Sequence, residues 1–123
     1  MHRILIVDDD ELFRGMLRLT LLKSGYHVDE AADGRQAMRV HESTPADVVI
    51  TDLVMPEQEG LETIQEFRRK HPGVKIIAMS GGGRIDARDF LKIARHLGAE
   101  RTFAKPFENA ELVAAIEELL PKE

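Results

Sequence analysis

The chain has no cysteine and no tryptophan, and only one tyrosine among its 123 residues. Without cysteine there is neither a disulfide framework nor a thiol nucleophile, as expected of a cytosolic protein. Without tryptophan there is no indole to stack a flavin. Excess positive charge is lacking too. Seventeen basic residues face 22 acidic ones, for a net charge of -5 and a pI near 5.5. General attraction to nucleic-acid phosphates or to anionic lipid is therefore not expected, nor is direct nucleic-acid binding. No apolar run approaches a membrane span. The N-terminal MHRILIVDDD meets acids too soon to be a signal-peptide core, so a soluble, cytoplasmic protein is expected. A length of 123 residues fits one domain, 1–123, with no effector domain inside it.

What is present alternates. Short β-branched runs occur at 4–7, 48–51, 74–79 and 101–104, with a weaker one near 26–31. Between them apolar residues recur at helical spacing, as in Phe13, Met16, Leu17 and Leu21, or Leu112, Ile116, Leu119 and Leu120. Five β-then-α units result. Gly25 and Gly98 follow the stripes of the first and fourth helices, where left-handed caps are common, and Asp33-Gly34 opens the second. Strands apolar on both faces and alternating with helices imply a parallel α/β sheet covered on both sides. Met16, Met38 and Met79 are expected in the core.

In such a sheet the C-terminal ends of all strands share one edge, where ligands bind. That edge would gather Asp8 and Asp9 after the first strand, Asp52 after the third, Ser80 after the fourth and Lys105 after the fifth. Carboxylates at ~4 Å repel by about 4 kcal/mol per pair at an effective dielectric of ~20, so a cation must hold them. Oxygen-only ligands select a hard ion, and Mg²⁺ suits two or three carboxylates beside a phosphate. An ionised carboxylate can attack a phosphoryl group without a general base.

VDDD at 7–10, TDLVMP at 51–56, MS at 79–80 and KPF at 105–107 resemble the receiver domain of two-component response regulators, over essentially the whole chain. The resemblance implies a flavodoxin-like, doubly wound, five-stranded parallel sheet of order 2-1-3-4-5. It implies Asp52 as phosphoacceptor, with Asp9, Asp52 and the Val54 backbone carbonyl as Mg²⁺ ligands and Asp8 acting mostly through bound water. Ser80 matches the hydroxyl that moves onto the phosphoryl group, and Lys105 the lysine that contacts it, ahead of a cis bond to Pro106. A sensor histidine kinase or phosphotransfer protein would be the donor. Output would be binding of a downstream protein on the face of the fourth helix, fifth strand and fifth helix, with no enzyme activity beyond self-catalysed transfer and hydrolysis.

Two positions depart from that pattern. Thr102 stands where the family usually has an aromatic switch residue, and Phe103 beside it should point to the opposite, core-facing side of the strand. The segment 80–98 is also longer than usual by about one helical turn. Taken singly, the features have plainer readings. Asp10 reads as a solvated acid at a helix N-terminus, favoured there by the helix dipole, and Gly81, Gly82 and Gly83 as a flexible loop. No Gly-Lys-Ser/Thr follows these glycines, which rejects a nucleotide P-loop. The five histidines show no ligand spacing. Arg84, Arg88, Lys92 and Arg95 form a basic stripe that is either a solvated face paired with Asp89 or a docking surface. A haloacid dehalogenase type phosphatase would place its nucleophile after the first strand and leave Asp52 without a role. A flavodoxin-like electron carrier would not have so acidic a phosphate edge.

Overall fold

The computed structural model describes residues 1–53, 59–81 and 87–121. The elements alternate as β1 (Arg3–Val7), α1 (Glu11–Lys23), β2 (His27–Ala31), α2 (Gly34–Ser43), β3 (Val48–Asp52), α3 (Glu59–Lys70), β4 (Lys75–Ser80), α4 (Ala87–Leu97), β5 (Arg101–Ala104) and α5 (Asn109–Leu119). The strands form one parallel sheet of order β2-β1-β3-β4-β5. The winding reverses between β1 and β3, the flavodoxin-like arrangement.

Strand periodicity divides the interior into two layers. Leu5, Val7, Val49, Ile76 and Ala78 face Ala37 and Met38 of α2, Ile64 and Phe67 of α3, and Ala94 of α4. Ile4, Ile6, Val48, Ile50, Ile77 and Met79 face Leu17 and Leu21 of α1 and Leu112 and Ile116 of α5. Hence α2, α3 and α4 cover one side of the sheet, and α1 and α5 the other. Burying a side chain such as Phe67 or Ile50 contributes about 1.5–3 kcal/mol, which is why the central strands read as unbroken apolar runs.

The edge strands are different. β2 carries His27, Asp29 and Glu30, and β5 is exposed at both ends. Ion pairs occupy the β2 edge, with Arg3 Nη1 2.9 Å from Asp29 and Arg14 Nε 2.9 Å from Glu30. Charges of this kind discourage a further strand from pairing there.

Helix ends form where the polar residues predict. Asp10 accepts from Phe13 N at 3.1 Å and Asp33 from Gln36 N at 2.8 Å, each capping the helix that follows. Gly25 and Gly98 have φ of 95° and 122°, conformations that cost a side-chain-bearing residue steric strain. One expectation is corrected. Met38 and Met79 are buried, but Met16 is 62% exposed. The inward line of α1 runs through Leu17 and Leu21, and Met16, one residue before Leu17, is rotated by about 100° toward solvent. α4 has eleven residues, no more than the longest of the other helices. Residues 82–86 of the long 80–98 segment lie outside the described residues.

Candidate functional site

Parallel register brings the strand ends level. Val7 lies opposite Thr51, Asp52 opposite Met79, and Ser80 opposite Ala104. Asp8, Asp52, Ser80 and Lys105 therefore emerge along one edge. Carboxylate oxygens of Asp8, Asp9 and Asp52 lie within 4.8 Å of one another, with Asp8 and Asp52 buried and Asp9 exposed. The Lys105 ammonium donates to Asp8 Oδ2 at 3.0 Å and to Asp52 Oδ2 at 3.4 Å. It stands between the two buried acids and offsets their repulsion, which would otherwise cost several kcal/mol.

Asp8 is fixed on every side. Its N–H donates to Ala31 O at 3.1 Å, its Oδ1 accepts from Asp10 N at 2.9 Å, and its carbonyl accepts from Arg14 Nη1 at 2.7 Å. Asp10 thus serves the turn and the helix cap and takes no place in the carboxylate cluster. On the Asp52 side, Leu53 N donates to Met79 O at 2.8 Å, extending the ladder past the end of β3. α3 then begins against that backbone. A Cβ at Gly60 would collide with the Asp52 carbonyl oxygen and stand 2.6 Å from Leu53 Cα. Only glycine lets the helix start so close.

Ser80 is fully buried, and its Oγ has no hydrogen-bond partner among the described residues. An unpaired buried hydroxyl costs about 1–3 kcal/mol. Its own carbonyl accepts from Lys105 N at 2.7 Å, which ties the lysine's backbone to the end of β4. The Lys105–Pro106 peptide is cis, as the resemblance implies. The Val54 carbonyl, Gly82, Gly83 and Arg84 lie outside the described residues, as does the Arg88 side chain.

Thr102 is half-buried opposite Ala78. Phe103 turns to the other face and packs on Phe107 at 5.3 Å between ring centroids, within the α1–α5 layer. It packs, half-buried, against that core on the side that strand parity predicts. Lys92 and Arg95 are exposed on α4, and among the described residues neither forms an ion pair with Asp89 or another acid.

Sequence reasoning named the side chains that this edge brings together and missed their supports. Gly60 and Arg14 act through backbone atoms of Asp52 and Asp8. The one available signal was a glycine eight residues after an acid at a strand end.

Fold and edge together define a class, a doubly wound sheet with three carboxylates, a buried hydroxyl and a lysine gathered where its strands end. A profile of the response regulator receiver domain matches residues 4–117. The chain belongs to that family, the receiver domains of two-component systems. It is 36% identical over 115 residues to the chemotaxis protein CheY of Thermotoga maritima, covering 93% of each chain. It is 35% identical over 118 residues to the transcriptional regulatory protein QseB of Haemophilus influenzae, covering 96% of this chain but 52% of that one. The chain thus spans about half the length of that relative. A crystal structure of a CheY-like receiver domain protein from Methanospirillum hungatei superposes with a TM-score of 0.85 at 27% identity, covering 96% of this chain and 92% of the other.

Proposed function

We propose that this receiver accepts a phosphoryl group onto Asp52 from the phosphohistidine of a sensor kinase or phosphotransfer protein, with Mg²⁺ as cofactor, and that phosphorylation changes its binding to a partner protein. The observation that carries this reading is the placement of Lys105, whose ammonium stands 3.0 Å from Asp8 and 3.4 Å from Asp52.

In the transfer, an Asp52 carboxylate oxygen attacks phosphorus. The new O–P bond forms as the P–N bond breaks, and the imidazole leaves with the electron pair and takes up a proton. The Lys105 ammonium, already at Asp52, donates to the transferred oxygens, where negative charge accumulates. The Ser80 hydroxyl gains in the phosphoryl oxygen the acceptor it lacks among the described residues. The carboxylates of Asp8, Asp9 and Asp52 suit a hard divalent ion, and the Val54 carbonyl would complete the set. Bound there, Mg²⁺ supplies neutralisation for carboxylates and phosphoryl oxygens alike.

A donor must reach Asp52 over this edge, beside the start of α1, where Leu12, Met16 and Leu19 are 75%, 62% and 56% exposed along one side of the helix. That strip suits an apolar helical surface of the donor. Output falls on the face of α4, β5 and α5, where Lys92 and Arg95 are exposed, and the receiver acts as a signalling switch in the cytoplasm.

Incubation with a small acyl phosphate and Mg²⁺ should add one phosphoryl group, read by intact mass. Asp52→Asn or chelation of the metal should abolish uptake. Uptake that persists in Asp52→Asn would sink the assignment.

A further inference from the structure

Lys105 has a flexible four-carbon stem, and its usefulness depends on where the ammonium is held. Two of its donors are directed at Asp8 and Asp52. The ammonium also lies 3.9 Å from the centroid of the Phe13 ring, close enough for attraction to the negative face of the π-system. On the other side the stem runs past Gly81, where an added Cβ would stand 3.3 Å from Lys105 Cδ. The lysine therefore occupies a slot, with backbone along its stem and an aromatic ring over its head.

The ring is itself oriented from both ends. Phe13 N donates to Asp10 Oδ1 at 3.1 Å in the capping turn that also holds Asp8. Phe107 meets Phe13 edge to face, at 6.3 Å between centroids and 85° between planes. The capping turn of α1 and one aromatic residue from the turn after β5 thus fix the Phe13 ring against Lys105. A ring needed only as packing would not have to present its face to the ammonium that, among the described residues, stands in the carboxylate cluster.

We propose that Phe13 is a positioning residue for Lys105, holding the ammonium by its ring face at Asp8 and Asp52 so that it is in place when the phosphoryl group arrives. The inference rests on the phosphoacceptor reading and adds to it a residue that touches neither phosphate nor metal. Pre-placement spares the lysine an ordering step during transfer.

The test is the rate of Asp52 labelling by a small acyl phosphate at saturating Mg²⁺ in four proteins: wild type, Phe13→Leu, Phe13→Trp, and a form with pentafluorophenylalanine at position 13. The fluorinated ring keeps the shape and withdraws the negative face. Labelling should slow roughly threefold or more in the Leu and fluorinated forms and be largely restored in Phe13→Trp. In the unphosphorylated protein, the Lys105 side-chain ε-methylene resonances should shift upfield from the ring current and lose that shift in Phe13→Leu. Equal rates in wild type and fluorinated protein, or equal slowing by Leu and Trp, would overturn the positioning role. A wild-type protein that takes no label on Asp52 would instead overturn the reading beneath it, and the inference with it.

Discussion

His41 shows how one buried side chain can be read for stability as the acids are read for function. It lies at the edge of the sheet remote from Asp52, only 4% exposed, and its Nδ1 accepts from Ala46 N at 3.0 Å. The neutral ring therefore carries its proton on Nε2. Burial pushes the imidazole below the usual histidine range, with further lowering by His71, 4.5 Å away between centroids, and partial opposition from Glu42. The sign follows from proton counts. Between the lowered folded pKa and the unfolded value of about 6.5, the unfolded chain binds more protons, so stability falls as pH drops through that window. Protonating Nδ1 would also break the bond from Ala46. Denaturant unfolding at several pH values should show this loss in wild type and a shallower slope in His41→Gln. Identical slopes would remove His41 as the cause. At this scale the sequence was legible where a residue's meaning lies in its place along the strand. Asp52 announces itself as a lone acid ending an apolar run, whereas Arg14 gains its role from contact with the Asp8 carbonyl, which no local pattern encodes.

Helices and strands are joined near the end of α3 by one guanidinium. Arg68 donates to Pro72 O at 2.8 Å, Val74 O at 3.0 Å, Gly98 O at 2.6 Å and Glu100 Oε1 at 2.7 Å. Glu100 Oε2 in turn accepts from Ile76 N at 2.6 Å. The close approach is why residue 98 is glycine beyond its backbone angle, since a Cβ there would sit 2.8 Å from Arg68 Nε. Arg68→Ala should cost about 2–3 kcal/mol in chemical denaturation, less than a fully buried network because Arg68 keeps 27% side-chain exposure. Arg68→Lys should recover only part of it, because a point charge cannot fork to several carbonyls. A cost within error of zero would show the network to be ornamental. Elements were legible from pattern, strands as short continuous β-branched runs and helices from apolar spacing near 3.6. The outward side of α1 was not, because Leu12, Met16 and Leu19 are as apolar as the core residues beside them and only burial distinguishes Met16 from Leu17.

For the whole molecule, the gathering of distant residues at one edge follows from a rule about parallel sheets, whereas the strand order was legible only through the family resemblance of the motifs. The output route was not legible, since Thr102 removes the aromatic switch that the family usually places there. The exposed Lys92 and Arg95 give the α4 face local positive charge in a chain of net charge -5. An acidic partner docking there should bind more weakly as salt rises, because exposed charges are screened over about 8–10 Å near physiological ionic strength. Lys92→Glu with Arg95→Glu should reduce binding of the phosphorylated form while leaving acyl-phosphate labelling unchanged. Equal binding by the double variant would return those residues to a solvated face. All of this depends on where the phosphoryl group goes. Labelling with a small acyl phosphate and Mg²⁺, trapping of the acyl phosphate by borohydride, and mass mapping of peptides would locate it directly. The account predicts modification of Asp52 alone, and modification at Asp8 or Asp9 with Asp52 untouched would contradict it.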